Sequence, residues 1–301
     1  MNVCDDAAPA HPLLASYGMD TITLAGPLEA KLQAMGDAGF GQVMLSARDV
    51  VGHPGGVQAA VAAVRASGLR PTGFQVLRDF EGLPGHLHDY KVDIAKSMLE
   101  MCRALGSDLL LVCSSTSAHA TDDHATLVAD LRKLATLAVP MNVRIAYEAL
   151  SWGRYINEYM QSWDMVAAVD RANFGLALDA YHILAAQSDL ANLDEVDPAR
   201  LFLVQLSDFM WRETQSFEER RETARHFRVF PGEGVHSTEV AALLRALDAA
   251  GYRGDYSFEV FNDDYVQLPL DTVTTRAMRS VQWLLGQVPR RSLPLARRLP
   301  A

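Results

Sequence analysis

The chain has 301 residues, 49% of them hydrophobic and 21% charged, with a formal net charge of −10. That composition is ordinary for a globular protein and the length is ample for one large core. The negative balance argues against nucleic acid as the main partner, which needs clustered Lys and Arg, and no run of about eighteen apolar residues offers a membrane span.

Residues 1–18 contain no basic segment leading into an apolar one and read as the N-terminal tail of a cytoplasmic protein. From there, short apolar or β-branched runs alternate with longer segments of helical period. The pattern predicts strands at 20–25, 42–46, 70–77, 108–113, 143–148, 174–179, 201–206 and 255–260. Helices are expected at 28–38, 57–67, 88–105, 127–139, 159–169, 237–250 and 272–285. This rhythm over 19–287 matches a single (β/α)8 TIM barrel of the α/β class. The competing open doubly wound sheet would carry a Gly-rich phosphate loop after its first strand, and Leu24-Ala-Gly-Pro-Leu28 is not one. Residues 207–233 exceed a plain strand-to-helix connection and are expected to form a lid or substrate-holding element. Residues 288–301, rich in Pro and Arg without periodicity, read as a flexible tail. Cys4, Cys102 and Cys113 are odd in number and lack metal-ligand spacing, so a reduced compartment is expected.

Four of the expected strands end on a polar residue: Glu148, Asp179, Gln205 and Glu259. Taken singly, each would be a helix N-cap or a rim ion pair. In a barrel, where the carboxyl ends of parallel strands share one face, the four form an oxygen-only ligand set for one divalent ion, suited to Mg²⁺ or Mn²⁺, with Co²⁺ also admissible. His182, three residues past Asp179, would be a near-neutral imidazole beside a Lewis acid, with capping or packing as the alternative. Arg78 closes the third strand and reads as a bidentate clamp for a substrate carboxylate or as a partner of Asp79. Arg154, His226 and Arg228 are further substrate-binding candidates. His86, His88, His119, His124 and His236 are expected on the surface.

These segments, together with Phe74-Gln-Val-Leu-Arg-Asp-Phe-Glu-Gly82, Leu178-Asp-Ala-Tyr-His182 and Arg225-His-Phe-Arg-Val-Phe-Pro-Gly-Glu-Gly234, resemble the sugar phosphate isomerase/epimerase superfamily of TIM barrels. Within it they are most similar to bacterial 3-dehydroshikimate dehydratases. The resemblance implies one metal on Glu148, Asp179, Gln205 and Glu259, and His182 facing the substrate. It also implies a lyase that converts 3-dehydroshikimate to protocatechuate through a metal-stabilised enolate, acting on a small carboxylic acid. Gln205 stands where the superfamily's sugar isomerases and epimerases usually have His. The second strand departs from the pattern: an acidic Glu-Ile-Phe-Glu-Asn-Asp is expected and Val43-Met-Leu-Ser-Ala-Arg-Asp49 is found. A keto-sugar isomerase or epimerase and a non-catalytic binding barrel stay open as alternatives, as does a homo-oligomer.

Overall fold

A computed structural model describes residues 14–288, so Cys4 and the expected tail beyond Val288 lie outside the described residues. The strands are β1 Tyr17–Asp20, β2 Gln42–Ser46, β3 Arg70–Arg78, β4 Leu109–Cys113, β5 Arg144–Glu148, β6 Phe174–Asp179, β7 Leu201–Leu206, β8 Asp208–Phe209, β9 Arg228–Val229 and β10 Tyr256–Phe258. Eight of them close a parallel barrel in the order β1-β10-β7-β6-β5-β4-β3-β2, while β8 and β9 form a separate antiparallel pair. The helices are α1 Leu28–Asp37, α2 Ala47–Val51, α3 Gly56–Ser67, α4 Gly85–Leu105, α5 His124–Ala138, α6 Tyr159–Val169, α7 Ala180–Ala186, α8 Phe217–His226, α9 Ser237–Ala250 and α10 Leu270–Gln287. None is long and apolar enough to cross a membrane.

Two apolar layers arise from the period-two alternation of strand side chains. Residues such as Leu110, Val112, Ile145, Tyr147, Leu176 and Leu178 face the helices and join the large outer core. Their neighbours Leu109, Leu111, Ala146, Ala177 and Leu203 cluster with Met44 as the barrel interior. Continuing the interior set by two residues along each strand gives Cys113, Glu148, Asp179 and Gln205. The sequence therefore switches from apolar to polar in the last interior layer of the barrel, at its carboxyl end, and that switch places the site.

The first strand differs from expectation, and it begins inside the segment assigned to the N-terminal tail. Thr21-Ile-Thr23 looks like strand sequence but forms a 3-10 turn. Asp20 ends the strand because its carboxylate accepts the Ile22 N–H at 2.8 Å. The Thr21 hydroxyl then accepts the Ser46 N–H at 3.0 Å, tying the turn to β2. Short helices α2 and α7 and helix α8 were not anticipated. Ser46 and Asp179 cap the first two, so in each a strand runs directly into a helix with no intervening loop signal. Two histidines expected on the surface are buried: His88, whose ring bonds the Phe80 carbonyl at 3.1 Å, and His236, held by Asp208 at 3.0 Å.

Glu81 is a buried carboxyl outside the interior layer. Glu81 Oε1 accepts from the Ser115 N–H at 2.6 Å and the Tyr147 hydroxyl at 2.9 Å, while Oε2 has no partner. Burial raises its pKa from 4.5 to about 7. The native state therefore holds a proton that the unfolded chain has released, and this contribution to stability, full below 4.5, is lost as pH rises through about 7. Glu81→Gln is expected to flatten that fall. Urea unfolding of both proteins at about pH 5 and pH 8 tests it, and equal pH slopes would refute the assignment.

Candidate metal and proton-transfer site

Glu148, Asp179, Gln205 and Glu259 all converge on the carboxyl end of the barrel interior and are 3%, 2%, 0% and 6% exposed. Strand register sets Asp179 beside Gln205 across β6 and β7, and Ser257, two residues before Glu259, beside Gln205 across β7 and β10. Asp179 divides its oxygens. Oδ1 caps α7 by accepting the Tyr181 N–H at 2.8 Å, and Oδ2 accepts from Arg228 at 2.6 Å. The N-cap reading of this residue thus holds for one oxygen, while the other faces the buried cluster.

Among the described residues, Arg228 is the guanidinium bonded to the central carboxylates. Its Nη1 donates to Asp179 and, at 3.0 Å, to Glu259, and the group lies 4.4 Å from the centre of the Tyr181 ring. Expected as a substrate contact, it is instead mostly engaged with these carboxylates, and only its Nη2 forms no hydrogen bond. Glu148 takes a thiol hydrogen bond from Cys113 on Oε2 at 3.0 Å. Its Oε1 and the Gln205 Oε1 are both buried without a partner.

The electrostatics are incomplete as they stand. Burial, then the charges of Asp179 and Glu259, push the Glu148 carboxyl well above the usual range. Burial likewise raises Asp179 to about 6, against the opposing pull of Arg228. Three carboxylates face one guanidinium, and two buried oxygen acceptors lack donors. A dication would balance the charge and satisfy both oxygens, so the residues present fit a hard divalent ion.

His182 lies 5% exposed beside this cluster, with Nε2 at 3.7 Å from Asp179 Oδ2. Glu148, Asp179 and His182 could each offer a ligand atom within 4.8 Å of the others. The far side of the ring offers a partner to either tautomer. His182 Nδ1 accepts the Ser151 N–H at 3.1 Å, and burial, then the charges of Arg228 and Arg78, hold the ring neutral with a pKa well below 6.5. A neutral ring that accepts at Nδ1 carries its proton on Nε2, which makes Nε2 a donor facing the centre rather than a metal ligand. The Ser151 hydroxyl, also 3.1 Å from Nδ1, can accept from the other tautomer and free Nε2 as a base.

The remaining candidates are dispersed. Arg78 is exposed and its side chain has no hydrogen-bond partner, although its charge acts on His182 and Cys113. Its neighbour Asp79 instead binds Thr116, so the structural Arg78–Asp79 pairing does not form. Arg154 is exposed and stacks on Tyr155 at 5.3 Å, away from the carboxylates. His226 is held by Asp263 at 3.0 Å on the outer rim. Both are expected substrate contacts, and neither bonds to the carboxylates of the cluster.

Three interior residues were missed. Asp20 is fully buried and accepts from the Gln75 amide, and β1–β2 register places it beside Met44, in the strand where acids were expected and not found. Gln75 and Cys113 belong to the same layer. The signal available was the interior period: Gly18 to Asp20, Gly73 to Gln75 and Leu111 to Cys113.

A closed parallel barrel whose last interior layer gathers acids and an amide, with an imidazole beside them, defines a (β/α)8 barrel with its candidate site at the carboxyl end of the strands. The chain belongs to the xylose isomerase-like TIM barrel family, whose family model matches residues 13–285. It is 36% identical over 264 residues to a 3-dehydroshikimate dehydratase of Pseudomonas aeruginosa, covering 88% of this chain and 41% of that protein. It thus spans about two fifths of that relative's length. An inosose isomerase of Bacillus licheniformis is 27% identical over 222 residues, covering 71% of this chain and 76% of that one. A solved xylose isomerase-like TIM barrel/4-hydroxyphenylpyruvate dioxygenase fusion protein superposes with a TM-score of 0.84 at 34% identity, covering 91% of this chain and 43% of the fusion.

Proposed function

We propose that the protein is a divalent-metal-dependent lyase that dehydrates a cyclic hydroxy-keto acid, with 3-dehydroshikimate to protocatechuate as the specific reaction. The observation that carries this reading is the gathering of Glu148, Asp179, Gln205 and Glu259 around two partnerless oxygens, with His182 Nε2 directed at the same point. The similarity to a named dehydratase supports the substrate class.

A divalent ion held by the three carboxylates and the Gln205 amide would supply a Lewis acid for a ketone oxygen. The chain's own groups do the rest. His182 exchanges a proton at Nε2, as base in one tautomer and as donor to the departing hydroxyl in the other, with Ser151 accommodating both states of Nδ1. The free Nη2 of Arg228 and the unpaired Arg78 guanidinium are the cations available to a substrate carboxylate. Burial of the cluster excludes bulk water from the charge that develops.

A keto-sugar isomerase is the second reading, supported by the inosose isomerase relatives and by the Asp20–Gln75 pair, whose polarity suits ring hydroxyls. Incubating the Mn²⁺-loaded protein with 3-dehydroshikimate is expected to give an aromatic absorbance, abolished by a chelator and restored by Mn²⁺. Turnover of keto sugars alone, or activity indifferent to chelation, would overturn the proposal.

A further inference from the structure

A cavity on the carboxyl face lies beside the carboxylate cluster rather than over it. It measures about 710 Å³ and is bounded by the loops after β1, β2 and β10 and by the end of α8. That volume falls within the range of small-molecule pockets. Phe261 joins the two regions: it lines the cavity, and its ring lies 5.4 Å from the Arg228 guanidinium.

The charges in this cavity are unevenly matched. Asp49 is bound to Lys31 at 2.7 Å, Asp263 to His226 at 3.0 Å, and His53 to Glu29 at 2.9 Å. Arg48 and Arg225 also line it, and neither side chain has a hydrogen-bond or ion-pair partner among the described residues. Arg225 is partly withdrawn from water and faces the like charges of Arg78 and Arg221, with Glu222 and Glu218 as weaker compensation, so its pKa is lowered. In a chain of net charge −10, the uncommitted charges of this one cavity are both positive. Arg48 also falls in the strand-two segment where an acidic sequence was expected.

We propose that this cavity is an oxyanion-binding subsite, in which Arg48 from α2 and Arg225 from α8 hold a carboxylate or phosphate group. The planar five-donor guanidinium suits both groups, and of the acids lining the cavity Asp49 pairs with Lys31 and Asp263 with His226 rather than with either arginine. The subsite depends neither on the ion nor on the reaction proposed above. Its binding is read without turnover, so failure of the dehydratase assay leaves it standing.

Titrations of the full chain with inorganic phosphate and, separately, with benzoate test it by calorimetry. At least one of the two should bind, which identifies the oxyanion preferred. Arg48→Ala and Arg225→Ala should each weaken that binding about tenfold. Both side chains are exposed, so neither change should unfold the protein. Arg103→Ala, on the last turn of α4, removes the same charge elsewhere and should have no effect. Absence of binding by either probe overturns the proposal. So do variants that titrate like the wild type, or an equal loss in Arg103→Ala, which would reduce the effect to net charge.

Discussion

His182→Ala should lower kcat by about 10²-fold or more while the bound metal stays at the wild-type level. The split comes from the ring's two sides. Nδ1 is occupied by Ser151 and Nε2 carries either a proton or a free lone pair toward the reaction centre, so the residue can move a proton without ligating the ion. Truncation removes that group and leaves Glu148, Asp179, Gln205 and Glu259 in place. The measurement is steady-state turnover alongside elemental analysis of the dialysed variant. Unchanged turnover would show that another group carries the proton, and a parallel loss of metal would make His182 a ligand.

Arg228→Met should destabilise the chelated protein by about 3–5 kcal/mol, because it leaves the buried Asp179 and Glu259 carboxylates without their cation. Methionine fills much of the stem volume, so the loss is chiefly electrostatic. With excess Mn²⁺ the deficit should shrink, since an ion that binds only the folded state adds stability by mass action and supplies the missing charge. Urea unfolding with chelator and with Mn²⁺ measures both values. The same deficit in the two conditions would mean that the ion does not sit among these carboxylates.

Most of the barrel was legible because its strands are short apolar runs separated by amphipathic helices, and those periods survive in a single sequence. The limits of α6 and α9 agree with the expected 159–169 and 237–250. The structure that escaped is made by side-chain hydrogen bonds rather than by periodicity. Thr21-Ile-Thr23 has strand-like residues, but Asp20 turns the chain, and no pattern of apolar residues records that. The four expected ligands were visible because a polar residue at the end of an apolar strand is conspicuous. Arg228 was visible as a residue but not in its role, because its partners Asp179 and Glu259 are 49 and 31 residues away. For Arg154 and His226 a place between strands was legible, but not the partners they take, Tyr155 and Asp263.

The β8–β9 pairing, Asp208 with Val229 and Phe209 with Arg228, closes the excursion from Met210 to Phe227 at its neck. The Arg228 N–H is further fastened to the Phe261 carbonyl at 3.0 Å. Segments between such fixed ends can lengthen, shorten or change composition with little displacement of the chain on either side, because closing a longer loop costs only slowly growing entropy. Helix α8 within the excursion stays tied to the centre, because the Ala224 carbonyl accepts from Arg228 Nε at 2.9 Å and Arg220 donates to the Ser151 carbonyl at 3.0 Å. The exposed stretch from Met210 to Glu213 is therefore the part open to exchange, a cassette set on a platform that α8 and the strand pair hold constant.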